Sequence, residues 1–277
     1  MTLITSPTNP RISRLVSLHT ARGRKKHGLF LMEGPHLLET LLDARLLPEE
    51  VYYHTALLQR TPEGSGLLDR LMATETLSQN NRLIEVSERV METLSDVQAS
   101  QGVVSVLPIS ALQVDLVAAR RPVAQRPVLL ILDDIADPGN MGTILRTALA
   151  ADVERVLLTP RCVDCYNPKV VRSAAGSHIA LPIESDLSWE KIEQRIQEHS
   201  QKRVFLAEAG SVDIYYKQDL TQPFALIIGN EAHGPSQAAR SLATVTLTVP
   251  LANNVESLNA AMAAGIILYE AVRQRNG

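Results

Sequence analysis

From Val128 onward, short runs rich in Val, Ile and Leu recur between stretches of helical period. Residues 128–132, 153–159, 180–183, 204–207, 224–228 and 245–249 read as strands, and 143–151, 169–176 and 189–200 as helices. Runs that are apolar on both sides fit strands buried on both faces, and each step between parallel neighbours needs a crossover. The pattern therefore predicts an α/β unit with a parallel sheet and helices on both faces. A smaller alternation precedes it. A helix opening at Asn9-Pro10, a strand at 29–32, a helix at 35–47 and strands at 51–54, 83–86 and 103–107 predict a small α/β domain, with shorter helices at 67–72 and 88–94. The chain of 277 residues divides on this reading into residues 1–108, a linker 109–127 and residues 128–277. The linker carries Arg120, Arg121, Pro122, Arg126 and Pro127, with a short helix before the prolines.

Charge is unevenly placed. The net charge is −3, yet Arg11, Arg14, Arg22, Arg24, Lys25 and Lys26 all precede the first acid, Glu33. Neutralising phosphates needs such a local cluster, so Arg11, Arg22, Arg24, Lys25 and Lys26 are the expected RNA contacts; a solvated helix end is the competing reading. Aromatic residues make up 4% of the chain, which argues against base stacking as the main binding mode.

Other classes are excluded by what the chain lacks. Gly64-Ser65-Gly66 and Gly139-Asn140-Met141-Gly142 are its nearest approaches to nucleotide-binding glycine loops, and neither fits the dinucleotide or P-loop pattern. Cys162-Val163-Asp164-Cys165 has metal or redox spacing but no second pair to complete a zinc tetrahedron, so the two read as ordinary cysteines and no metal is expected. Two cysteines do not make a secreted disulfide scaffold, no apolar run reaches the length of a membrane span, and the N-terminus lacks a signal-peptide core. A cytoplasmic protein is expected.

Three stretches carry the chemistry. The last, 249–275, has a polar loop, Ala252-Asn253-Asn254-Val255-Glu256, and then Ser257, the expected N-cap of a helix. Leu258, Met262, Gly265, Ile266, Tyr269 and Val272 recur at helical spacing and predict its apolar face, while a run of alanines permits close approach of another backbone. The stretches 132–151 and 226–236 each join an apolar strand to a Gly/Asn/Pro turn with acids and then to helical sequence. Asn140 is placed in the loop and Arg146 in the first turns of the helix after it.

Together these stretches resemble the three ordered motifs of the SpoU (TrmH-type) RNA ribose 2′-O-methyltransferases of the SPOUT superfamily. The matching residues are Asn140, Gly142 and Arg146; Gly229, Glu231 and Gly234; and Pro250, Ser257, Leu258, Asn259, Tyr269 and Glu270. The resemblance covers about half the chain, and its specificity lies in the order of the three motifs. It departs at Asn253 or Asn254, where the family often has glycine.

The resemblance implies a catalytic domain whose C-terminal segment, from about residue 224, is threaded into a trefoil knot. It also implies S-adenosylmethionine as cofactor, held around Gly229, Val249 and Leu258. Arg146, Asn140, Glu231, Ser257 and Asn259 are the implied catalytic set, Arg146 gripping a phosphate or acting as base. The implied assembly is a homodimer whose site is completed across the interface. The N-terminal domain resembles the RNA-binding domain of many such enzymes, which is similar to certain ribosomal proteins, and this layout favours rRNA, of the large subunit, over tRNA as substrate. A catalytically inactive RNA-binding homologue and a small-molecule α/β enzyme are the rival readings. The intact motif residues argue against the first and the basic N-terminus against the second.

Overall fold

A computed structural model describes residues 3–78, 81–119, 128–198 and 203–277. The chain forms two compact units, residues 1–112 with 166–179, and residues 113–165 with 180–277. The segment 166–179, expected with the second unit from its place in the sequence, packs with the first.

The first unit is built on a four-stranded sheet in the order Leu29–Glu33, Val103–Pro108, Glu50–Tyr53, Leu83–Glu85, antiparallel except for the last pair. Helix Pro10–Ser17 begins where expected. Pro10 supplies a preset φ at the first position, and the Asn9 side chain accepts from the Arg11 amide. Its Ile12 and Leu15 join Leu31, Tyr52 and Val104 in the core. Gly64-Ser65-Gly66 lies inside the helix Pro62–Ala73 and forms no binding loop; a Cβ on Gly64 would sit 2.1 Å from the Leu58 carbonyl oxygen. Phe30 packs against Tyr166, ring centroids 4.9 Å apart, and Arg172 pairs with Asp96 at 2.8 Å. These contacts hold the segment 166–179 in this unit.

The second unit has a seven-stranded sheet in which every neighbouring pair is parallel. The order is Ile183–Glu184, Arg155–Leu158, Val128–Leu132, Phe224–Ile228, Val204–Ala207, Val245–Thr248, Asp213–Ile214. Side chains alternate between faces along each strand. Leu129, Ile131, Val204, Leu206, Ala225 and Ile227 meet Ile192, Ile196 and Ala239 of the helices Trp189–Glu198 and Gln237–Leu242. The opposite face carries Phe224, whose ring lies 5.5 Å from Phe205 and 5.5 Å from the guanidinium of Arg275 on the C-terminal helix, Ala260–Asn276. Helices therefore cover both faces, as the doubly apolar strands require. In the expected linker a turn of 3₁₀ helix, Ile109–Leu112, and a short helix, Val114–Ala118, are present, and Arg120, Arg121, Pro122, Arg126 and Pro127 lie outside the described residues. No helix among the described residues is long and apolar enough to cross a membrane.

Two expectations about helices are corrected. The helix of the first motif starts at Pro138, five residues earlier than read, with Asp137 as N-cap, so Asn140 lies in its first turn and not in a loop. The C-terminal helix is capped by Asn259 and not Ser257, and its buried face is Ala260, Ala261, Ala264, Ile267, Leu268 and Ala271. Small residues let this helix close on Pro138–Ala150, where Gly265 would place a Cβ 3.7 Å from Thr147 Cγ2. Met262 and Tyr269, expected inside, are 59% and 51% exposed.

Candidate active site

Because all strands of the second sheet run the same way, their carboxyl ends share one edge, where open α/β sheets bind ligands. At that edge Leu132 gives way to Asp133 and Asp134. Asp134 has φ of 60°, a left-handed conformation that aspartate tolerates better than most residues. Asp133 is buried and accepts from the Ser236 amide at 2.7 Å. Burial pushes its carboxyl above the usual range, against the Ser236 hydrogen bonds. Asn230 Nδ2 donates to the Asp134 carbonyl at 2.8 Å, while its Oδ1 accepts from the amides of Ala232 and His233 at 2.8 and 3.0 Å. Asp133 and Asn230 therefore pin the turn from Gly229 to Ser236 to the neighbouring loop. Neither belongs to the motif residues; the signal the sequence carries for them is the Asp133-Asp134 pair at a strand end.

Gly229 has no room for a side chain, since a Cβ would fall 2.6 Å from Pro235 N and 2.7 Å from Pro235 Cα. The turn thus brings bare backbone to the wall of a cleft of about 370 Å³. Gly229, Val249 and Leu258, the three expected cofactor contacts, all line it, as do Ser257 and Glu231. Across the cleft the loop holds Asn253 and Asn254 at φ of 55° and 56°. These are left-handed conformations that glycine adopts freely and asparagine tolerates.

Three of the five catalytic candidates, Asn259, Asn140 and Glu231, meet through side-chain hydrogen bonds. Asn259 Oδ1 accepts from the Ala261 and Met262 amides at 2.9 and 3.3 Å, which caps the last helix. Its Nδ2 donates to Asn140 Oδ1 at 2.8 Å. Asn140 Nδ2 in turn donates to the carboxylate of Glu231. Three motifs far apart in sequence are thus joined by two side-chain hydrogen bonds, and the Glu231 carboxylate is aimed by a residue that is itself fixed.

Arg146 is not part of this group. Six residues of helix carry it about 9 Å along and about 120° around from Asn140. It is exposed and makes no hydrogen bond or ion pair among the described residues, and it is not on the cleft wall. Within this chain the Glu231 carboxylate is engaged by Asn140. Ser257 lies on the cleft wall, exposed and without a hydrogen bond among the described residues. Cys162 donates its thiol to the Leu132 carbonyl at 3.2 Å, and burial pushes its pKa up, so it acts here as a protonated strand-end contact. Among the described residues no group of three or more His, Cys, Asp or Glu is gathered as a metal would require.

In the first unit the basic cluster separates into two kinds of residue. Arg22, Lys25 and Lys26 are exposed. Arg24 is corrected as an RNA contact: it is buried, and its Nη1 donates to the Leu18 carbonyl at 2.8 Å, closing the turn between two helices. Arg11 is committed to Glu50 through Nε at 3.2 Å and Nη2 at 2.6 Å, with Arg14 and the Tyr52 hydroxyl on the other oxygen. Burial pushes the Glu50 carboxyl up, but the hydrogen bonds from Arg11 and Tyr52 outweigh it and hold the pKa below the usual value.

The cleft suits the cofactor that the resemblance implies. Its volume is in the range of small-molecule sites, Ile228, Leu247, Val249 and Leu258 offer aliphatic walls for a purine, and the main chain at Gly229, bare of a side chain, is open to its edge. Residues 127–269 match the model of the SpoU rRNA methylase family, and residues 9–105 match that of the MRM3-like substrate binding domain. The chain is 36% identical to an uncharacterized tRNA/rRNA methyltransferase of Synechocystis, over 98% of this chain and 94% of that protein. It is 29% identical to the 23S rRNA (guanosine(2553)-2′-O)-methyltransferase RlmP of Bacillus subtilis, over 97% of this chain and 98% of that one. Among solved structures, the SpoU methyltransferase AviRb from Streptomyces viridochromogenes in complex with the cofactor AdoMet superposes with a TM-score of 0.81 at 27% identity, over 97% of this chain and 98% of that one.

Proposed function

The chain belongs to the SpoU rRNA methylase family, and from that membership we propose that it methylates a ribose 2′-OH of ribosomal RNA, with S-adenosylmethionine as donor. The observation that carries this reading is the relay from Asn259 through Asn140 to Glu231 beside the cleft of Gly229, Val249 and Leu258. When bound, the cofactor supplies an electrophilic methyl on a sulfonium whose departure leaves a neutral thioether. The chain must align the 2′-OH with that methyl and take away its proton. Glu231, an acceptor held by Asn140, is placed to orient the hydroxyl or an intervening water. Ser257, with its hydroxyl uncommitted on the cleft wall, is placed to bind the ribose or its phosphate.

Arg146 is assigned to the RNA phosphate, as a permanent cation with a planar donor fork. Its distance around the helix from Asn140 supports its acting at the cleft of a second copy. The exposed Met262 and Tyr269 on the outer face of the C-terminal helix give that copy an apolar surface to cover, so a homodimer is part of the proposal. The RNA-recognition role is assigned to residues 1–108, with Arg22, Lys25 and Lys26 as phosphate contacts, and catalysis to residues 128–277, with the chain from about 224 forming the family's knot. The site of action is the cytoplasm.

Ribosomal RNA is favoured over tRNA by the relative that acts on 23S rRNA and by the matched substrate-binding domain. The test is transfer of labelled methyl from S-adenosylmethionine to RNA from cells lacking this protein. Label in rRNA, resistant to alkali at one nucleotide, is the expected result. Label confined to tRNA would replace the substrate, and no cofactor binding would refute the activity.

A further inference from the structure

We infer that Glu208 is a binding residue of this cleft, accepting hydrogen bonds from the ribose hydroxyls of the adenosyl group, and that Arg240 is the positioning residue that holds it. This rests on the cofactor reading above and adds to it an interaction that none of the three motifs contains.

Glu208 directly follows the strand Val204–Ala207, which lies between Phe224–Ile228 and Val245–Thr248 in the sheet. Its amide donates to the Leu247 carbonyl at 2.9 Å, so its main chain is fixed to the neighbouring strand. The side chain lines the cleft and is 32% exposed. Arg240 donates to one carboxylate oxygen, Oε1, from Nε at 3.2 Å and from Nη2 at 2.6 Å. The remaining terminal nitrogen, Nη1, donates to the Pro235 carbonyl at 2.6 Å. One guanidinium therefore ties the acid to the turn that forms the adjoining wall. Oε2 accepts no hydrogen bond among the described residues.

The other polar groups on the wall are differently disposed. Asn230 is spent on its own turn and Glu231 accepts from Asn140. Glu256 and Ser257 stand on the exposed loop. Glu208 is thus the acceptor that a strand end and an arginine hold in place while leaving an oxygen open. A ribose presents two adjacent hydroxyl donors, and an ionised carboxylate is acceptor-only, so the pair matches in number and sign. An acid beyond a strand end takes the same part toward ribose in other open α/β sheets. O–H to carboxylate hydrogen bonds are among the stronger ones. The competing reading is an ion pair at the surface with little energetic weight.

A thermodynamic cycle separates the two. S-adenosylhomocysteine and its 2′-deoxy and 3′-deoxy counterparts are titrated calorimetrically into the full-length wild type, Glu208→Gln, Glu208→Ala and Arg240→Ala. The wild type is expected to prefer the intact ribose by about 10-fold or more over at least one deoxy form, as for a hydrogen bond to a charged group. In Glu208→Ala that preference should fall below about 2-fold, with Glu208→Gln and Arg240→Ala between. A preference unchanged in Glu208→Ala overturns the inference, even if every affinity falls. So does a wild type indifferent to both hydroxyls. If the wild type does not bind S-adenosylhomocysteine at all, the cofactor reading fails and takes this one with it. Binding without coupling removes Glu208 alone. Glu208→Gln preserves volume and keeps the cycle readable should the alanine variant misfold.

Discussion

Asn259 Nδ2 donates to Asn140 Oδ1 at 2.8 Å across 119 positions of sequence. One side chain thereby caps the last helix and fixes the amide that aims Glu231. Asn259→Ala should lose both, lowering stability by about 1 kcal/mol through the cap and slowing single-turnover methylation. Asn140→Ala should slow the reaction with a smaller loss of stability. The double variant should be slower than wild type by clearly less than the product of the two single effects, as expected for groups acting in one relay. Multiplicative rate losses would show that the relay does not couple them.

Arg146 is exposed and makes no hydrogen bond or ion pair among the described residues, so its removal should leave the folded state nearly untouched, within about 0.5 kcal/mol. Arg146→Ala should nevertheless cut the single-turnover rate on rRNA by about 100-fold or more, with cofactor affinity unchanged. Arg146→Lys should rescue poorly, because it keeps the charge and loses the fork. A near-normal rate for Arg146→Ala would remove it from the site.

Gly229 is a poor place to probe the cofactor, because even a Cβ would meet the Pro235 backbone at 2.6 Å. Gly229→Ala should lower the melting temperature together with the affinity. Leu258 is half-buried on the cleft wall, so Leu258→Trp should reduce S-adenosylmethionine affinity by about 10-fold or more, by filling part of the cleft, at an unchanged melting temperature. Full affinity in the tryptophan variant, measured by calorimetry, would move the cofactor elsewhere.

The basic cluster gives a contrast between neighbours. Reversing Arg22, Lys25 and Lys26 to glutamate should weaken binding to an rRNA fragment and lower the slope of log affinity against log salt by about 0.7–0.9 for each phosphate no longer neutralised. Arg24→Ala should act on stability, because its guanidinium is buried against the Leu18 carbonyl. A salt slope that is the same before and after the triple reversal would place RNA on another surface.

Glu50 links the first unit to pH. Its folded pKa lies below the ordinary 4.5, so its contribution is present above the unfolded value and is lost as pH falls through the folded one. Urea midpoints should drop on acidification below about pH 4.5, and Glu50→Gln should lower stability at neutral pH by about 2 kcal/mol while flattening that drop. An unaltered acid profile in Glu50→Gln would assign the pH dependence to other carboxyls.

Strands such as Val128–Leu132 and Phe224–Ile228 were legible because burial on both faces leaves a continuous apolar run. Helix boundaries were less so. Pro138-Gly139-Asn140 reads as a turn, yet a proline just after Asp137 is also a helix start, and capping by Asp137 decides for the helix. In the last helix the large apolar side chains indicate the wrong inner face. Alanines buried by close approach leave Met262 and Tyr269 outside. Charge pattern could not tell Arg24 from Lys25, since one turn of helix separates the core from solvent. The motif residues Gly229, Val249, Leu258, Asn140, Glu231 and Asn259 do gather at one sheet edge. Asp133, Asn230 and Glu208 are not legible in the sequence because Ser236, the Asp134 carbonyl and Arg240, which give them their roles, are distant in the chain.

The chain passes between its two units at 112/113, at 165/166 and again at 179/180. Recombination that exchanged residues 1–112 at a single breakpoint would leave residues 166–179 behind, with Tyr166 deprived of Phe30 and Arg172 of Asp96. A chimera must therefore carry that insert with its donor module or match both surfaces. For the same reason a protease that nicks the chain between residues 112 and 128 should release no fragment, because residues 166–179 pack with the severed N-terminal piece while remaining covalently continuous with the second unit.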